Sequence, residues 1–166
     1  MAETRPAAIA ARDVKARTGT IYPPPYAAAL AGREKRVLGD LFGLTQFGVN
    51  LTTLQPGAWS SQRHWHERED EFIYVVDGEI VLIDDADEHV LTPGMCAGFK
   101  AGAPNGHHLV NKSPRPATYV EIGTRSPEER SHYPEADKQG TKKDGKWTLT
   151  RKDGTAFEWP SGPIAP

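Results

Sequence analysis

The strongest constraint on the fold of this chain is a succession of short apolar runs, each closed by a turn built on glycine or proline. From Phe47 the pattern has a period of two: Phe47, Val49 and Leu51 alternate with Gly48, Asn50 and Thr52 before Pro56-Gly57, the signature of a half-buried strand. Residues 72–76 and 80–83 flank Asp77-Gly78, a dipeptide suited to the two positive-φ positions of a tight hairpin. Further runs follow at 89–91, before Pro93-Gly94, and at 97–99, 107–110 and 118–122, the last two parted by the turn-forming stretch 111–116. Six or more short strands at this spacing predict an all-β sandwich or small barrel. With 16 Gly and 14 Pro in 166 residues, a helical bundle is excluded.

Around that centre, residues 1–44 read as an extended N-terminal arm, because Tyr22-Pro23-Pro24-Pro25-Tyr26 is biased to polyproline geometry and suits pairing with a neighbouring subunit. Residues 45–125 form the barrel. Residues 126–166 form a C-terminal extension in which Trp147-Thr148-Leu149-Thr150 and Ala156-Phe157-Glu158-Trp159 flank Asp153-Gly154 as a candidate hairpin. Lys and Arg number 20 against 22 Asp and Glu, a net charge of −2, so no basic field holds nucleic acid or an anionic membrane surface. No run approaches the roughly 18 apolar residues of a membrane span, and the start lacks the apolar stretch of a secretory signal. Cys96 is the only cysteine, which removes an internal disulfide and a thiolate zinc cluster, and it is expected as a small core residue. A soluble, cytoplasmic protein is expected.

Two pairs of neighbouring histidines carry the chemistry. In His64-Trp65-His66 the imidazoles are two residues apart, so on a strand both face one point. Glu71 opens the apolar run 72–76, and a turn or bulge in Glu67-Arg68-Glu69-Asp70 can bring it to the same side. Glu67, Glu69 and Asp70 are rival carboxylates, but a strand holds a ligand more rigidly than a loop does. His107 or His108, which face opposite ways on a regular strand, adds a further imidazole. His89 and His132 read as ordinary surface or core histidines. Alternation in Tyr119-Val120-Glu121-Ile122 puts Tyr119 and Glu121 on one face, where Glu121 is either solvated or a general base lining a cavity. Gln62 and Arg63 read as surface first and as anion-binding second, and Trp59, Trp65, Phe47 and Phe99 as barrel packing.

These residues resemble the two signature motifs of the cupin superfamily. Gly57, His64, His66, Glu71 and Gly78 follow the first motif with one extra residue after the first glycine, and Gly94, Gly102, His107 and Asn111 follow the second, with Lys100 in place of the usual proline and a longer loop before the histidine. The resemblance covers about residues 45–125 and selects His107 over His108. It implies a double-stranded β-helix, or jelly-roll barrel, in which His64, His66, Glu71 and His107 bind one divalent transition metal, Fe(II), Mn(II), Ni(II), Cu(II) or Zn(II). It also implies a homodimer and a small-molecule substrate. Four protein ligands leave up to two positions open for an oxygen-rich organic molecule, with or without O₂. Dioxygenase chemistry ranks first, metal-assisted isomerase, lyase or decarboxylase chemistry second, and a non-catalytic ligand-binding or sensor barrel is the rival from another class.

Overall fold

Side chains alternating in and out along twelve strands build three antiparallel sheets in the computed structural model, which describes residues 5–24 and 26–158. The strands are β1 Arg33–Val37, β2 Phe47–Leu54, β3 Trp65–His66, β4 Glu71–Asp77, β5 Ile80–Ile83, β6 Glu88–Leu91, β7 Cys96–Phe99, β8 His108–Val110, β9 Ala117–Thr124, β10 Glu129–His132, β11 Gln139–Lys143 and β12 Lys146–Thr150. One sheet runs β1-β2-β9-β4-β7, a second β6-β5-β8 and a third β12-β11-β10-β3. The first two face each other across the core, Leu54, Ile73, Val75, Ala117 and Tyr119 meeting Ile80, Leu82, Leu91 and Leu109. This is the expected double-stranded β-helix. Gly78, at φ +77°, turns β4 into β5; a Cβ there would sit 2.7 Å from the Cα of Ala117, so both the backbone conformation and the close approach demand glycine.

The flanking segments join the barrel more closely than their composition suggests. Residues 33–37, expected within the arm, form edge strand β1, paired with β2 from Arg33↔Leu54 to Val37↔Asn50. Tyr22 and Leu30 of the arm pack on Tyr133 and Ala136 of the same chain, in a second apolar cluster. Pro25 lies outside the described residues. The C-terminal hairpin forms earlier than expected, β11 to β12 through Asp144-Gly145, whose φ values of 51° and 76° suit a tight turn. Asp153-Gly154 closes only a single bridge, Thr150↔Ala156, and Trp159 lies outside the described residues.

The large sheet is phased so that polar Asn50 and Glu121 share the interior face with apolar Ile73 and Val75, while a second set of apolar side chains faces outward. Across β2, β9 and β4 the interior row reads Asn50↔Glu121↔Ile73, whereas Phe72, Tyr74 and Val76 lie on the outer face and are 41%, 45% and 47% exposed. Phe47, expected to pack the barrel, is exposed, and so is Cys96, which pairs with Tyr74 on the outer face and is not the core residue expected. Among the described residues no helix is long and apolar enough to cross a membrane.

Candidate metal centre

Three sheets supply the centre. Glu71 opens β4, His66 lies on β3, His64 precedes it in an isolated bridge to His107, and His107 stands just ahead of β8. The bridge exchanges two backbone hydrogen bonds, His64 N to His107 O at 3.1 Å and His107 N to His64 O at 2.8 Å, which clamps two imidazoles side by side. Glu71 Oε2 lies 2.9 Å from His107 Nε2, 3.6 Å from His66 Nε2 and 3.9 Å from His64 Nε2. His64, His66 and Glu71 each present a ligand atom within 4.8 Å of the others, close enough to share a metal ion.

The far nitrogens explain why the near ones converge. His64 Nδ1 lies 3.0 Å from the Gln62 carbonyl, and His107 Nδ1 lies 3.4 Å from the Asn105 carbonyl. His66 Nδ1 faces Glu129 Oε1 at 3.7 Å. At His64 the acceptor at Nδ1 favours the tautomer whose Nε2 lone pair is free, the form a metal requires, whereas His107 Nε2 donates to Glu71 and His66 Nδ1 has no hydrogen-bond partner. Burial pushes the His64 pKa down to about 3, so that ring is neutral at physiological pH. Burial works to raise the Glu71 pKa, but the hydrogen bond from His107 leads the interactions that outweigh it and keep the carboxyl ionised. Three imidazoles around a carboxylate are a donor set that fits a divalent transition metal.

The other singled-out residues divide. His108 is turned away from Glu71 and packs its ring 4.6 Å from that of Trp59, with neither nitrogen hydrogen-bonded. His89 and His132 each meet a carboxylate, Asp84 at 3.5 Å and Glu67 at 2.8 Å, outside the cluster, and Trp65 stacks on His132 at 4.1 Å and so packs outside the core. Arg63 is saturated: it pairs with Glu135 and Asp85 and donates to the Gly106 carbonyl at 3.1 Å, fastening the extension to the loop before His107. Gln62 donates to the Tyr26 carbonyl at 3.1 Å. Asn111 is fully buried and donates to the Leu54 and Arg115 carbonyls at 2.8 and 2.7 Å, a role in the turn and not at the cluster.

A cavity of about 780 Å³ opens from the cluster and is lined by His64, His66, Glu71, His107, Tyr119 and Glu121 among others. Of the two orientations open to β9, the polar pair therefore faces inward. Glu121 Oε1 receives Asn50 Nδ2 at 2.9 Å and Lys35 Nζ at 2.5 Å. Two residues of the extension were not singled out from the sequence. Glu129 accepts the amides of Glu67 and Arg68 at 2.8 and 2.9 Å beside His66, and Tyr133 stacks on His64 at 5.6 Å. Their signal was the period-two set Glu129, Ser131 and Tyr133, all buried, inside a stretch that composition marked as polar surface.

A jelly-roll barrel with histidines and a glutamate gathered at its mouth is the architecture of the cupins. The Cupin domain family model matches residues 50–123. The sugar phosphate isomerase of the cupin superfamily from Silicibacter pomeroyi is 44% identical, over 93% of this chain and 97% of that one, with a TM-score of 0.84. The chain belongs to the cupin superfamily. A protein from Acidithiobacillus ferrooxidans, provisionally called a sugar phosphate isomerase, is 28% identical over 77% of this chain and 81% of that one, TM-score 0.68. The polyketide cyclase RemF from Streptomyces resistomycificus shares the fold at 18% identity, over 70% and 78% of the two chains, TM-score 0.59. No curated protein matches.

Proposed function

We propose that this chain is a metal-dependent isomerase of a phosphorylated sugar, with His64, His66, Glu71 and His107 as the metal ligands. The similarity to the Silicibacter pomeroyi protein, over nearly the whole of both chains, supports this reading over the dioxygenase chemistry that ranked first from the sequence. A divalent ion supplies Lewis-acid polarisation of a carbonyl and a template for two adjacent substrate oxygens. Glu121 is the proton carrier: it lines the cavity, and Asn50 and Lys35 both engage its Oε1. It takes the proton from the carbon next to the carbonyl, the electron pair moves into an ene-diol, and the proton returns to the neighbouring carbon. The hydroxyl proton passes between the two oxygens, so aldehyde and alcohol exchange places with no change in composition. Lys35 and Asn50 hold the carboxylate in place between the two transfers.

The exposed outer face of the large sheet supports a homodimer in which a second copy covers Phe72, Tyr74 and Val76. The test of the catalytic reading is incubation of metal-loaded protein with aldose and ketose phosphates in D₂O. Deuterium should enter the carbon next to the carbonyl with wild type and fall by at least about 10²-fold with Glu121→Gln. Absence of exchange across triose to hexose phosphates would overturn it.

A further inference from the structure

The charges lining the cavity do not balance locally. Arg17, Arg33, Lys35, Arg125 and Lys142 face Glu69, Glu71 and Glu121. Lys142 pairs with Glu69 at 2.7 Å and Lys35 with Glu121 at 2.5 Å, while Arg125 turns to Asp40 and the Leu44 carbonyl. Arg33 has no carboxylate partner among the described residues. Its Nη1 donates to the Ser60 carbonyl at 2.6 Å and its Nη2 to the Gly19 carbonyl at 3.2 Å, contacts that aim the guanidinium without neutralising it. Arg17 exchanges backbone hydrogen bonds with Lys35 at 2.8 and 2.9 Å, and its guanidinium has no partner among the described residues. Arg17 and Lys35 are thus direct cross-strand neighbours on one cavity wall, Lys35 neutralised by Glu121 and the exposed Arg17 left without a carboxylate partner among the described residues.

A second observation falls at the same place. Tyr119 is 1% exposed, lines the cavity, and its hydroxyl has no hydrogen-bond partner. Burial and the Glu121 charge raise its pKa well above the usual value, with the Arg33 charge opposing the rise, so the phenol keeps its proton and can donate it. A buried donor near the unneutralised Arg33 guanidinium, in a cavity that Arg17 also lines, is what a tetrahedral oxyanion needs.

We propose that Arg17, Arg33 and the Tyr119 hydroxyl form an anion subsite that takes the phosphate monoester of the substrate. The ester's identity rests on the phosphosugar reading; the anion site itself does not. Guanidinium groups match phosphate with paired, parallel donors, which an ammonium does not reproduce.

The test is calorimetric titration of metal-loaded protein with inorganic phosphate, using wild type, Arg17→Met, Arg33→Lys, Tyr119→Phe and, as control, Arg130→Met. Arg33→Lys keeps the charge and guards against loss of the fold. Affinity should fall about tenfold or more for the first two variants, severalfold for Tyr119→Phe and not at all for Arg130→Met, with metal content unchanged. Failure of wild type to bind phosphate, or equal binding by all five proteins, overturns the subsite. Loss of phosphate binding in the variants, with no isomerisation by wild type, leaves the subsite standing and removes the isomerase reading. Isomerisation of a sugar phosphate with KM unchanged in Arg17→Met and Arg33→Lys removes the subsite and leaves the reading.

Discussion

Lys138 is fully buried, its ammonium has no hydrogen-bond partner, and it lies over the rings of Tyr22, Tyr133 and Tyr26 at 3.2, 4.0 and 4.9 Å from their centroids. Burial lowers its pKa from 10.5 to about 7. The unfolded chain holds this proton up to about pH 10.5 and the folded chain releases it above about 7, so stability rises with pH across that window and the full penalty applies below it. The depression corresponds to about 5 kcal/mol for a wholly shielded charge. The tyrosine faces return about 2 kcal/mol, and residual solvent screening lowers the remainder to about 2 kcal/mol. Lys138→Met removes the charge and keeps the apolar stem. Thermal unfolding at pH 6 should show the variant melting about 4–8 °C above wild type, and the gap should narrow as pH rises above about 7 and close only near 10.5, where the unfolded chain also releases the proton. Tyr22, raised well above 10 by burial, stays protonated over the same range. A gap that is constant with pH, or a variant that melts below wild type at pH 6, would refute the reasoning.

Gly78→Ala should cost about 2–4 kcal/mol, since a left-handed backbone and a 2.7 Å approach to Ala117 both oppose a side chain, and urea unfolding measures it. Glu129→Gln should weaken metal binding by about 10–100-fold while the far-ultraviolet circular dichroism is unchanged, because the carboxylate beside His66 Nδ1 orients that ring. Light scattering should give a dimer for wild type and a monomer for Tyr74→Asp, whose substitution charges the exposed apolar face.

The turn chemistry made the barrel legible, because Pro56-Gly57, Asp77-Gly78 and Pro93-Gly94 mark strand ends by backbone geometry that few residues permit. The histidine spacing and the place of Glu71 at the head of β4 were legible for a similar reason: period two on a strand fixes facing. The facing of the large sheet was not. Alternation of apolar and polar residues normally marks the polar set as solvated, yet here Asn50, Tyr119 and Glu121 line a cavity while Phe72 and Tyr74 point outward. A polar interior surrounding a site inverts the usual rule, and only the pairing of β9 with β2 and β4 reveals it. The extension was obscured by composition, since Glu129 and Lys138 are charged residues buried by partners remote in sequence, the amides of 67 and 68 and the tyrosines of the arm. Arg63, next to His64, reads from the sequence as surface first and as an anion binder second, and two carboxylates hold it.

The central claim is that His64, His66, Glu71 and His107 hold one divalent transition metal. Elemental mass spectrometry on protein purified without added metal, for wild type and for the single alanine variants at these four positions and at His108, tests it most directly. The account predicts near-stoichiometric metal in wild type and in His108→Ala, and a marked loss in each of the other four. Metal retained in His107→Ala and lost in His108→Ala, or no transition metal in any of the proteins even after reconstitution, would contradict it.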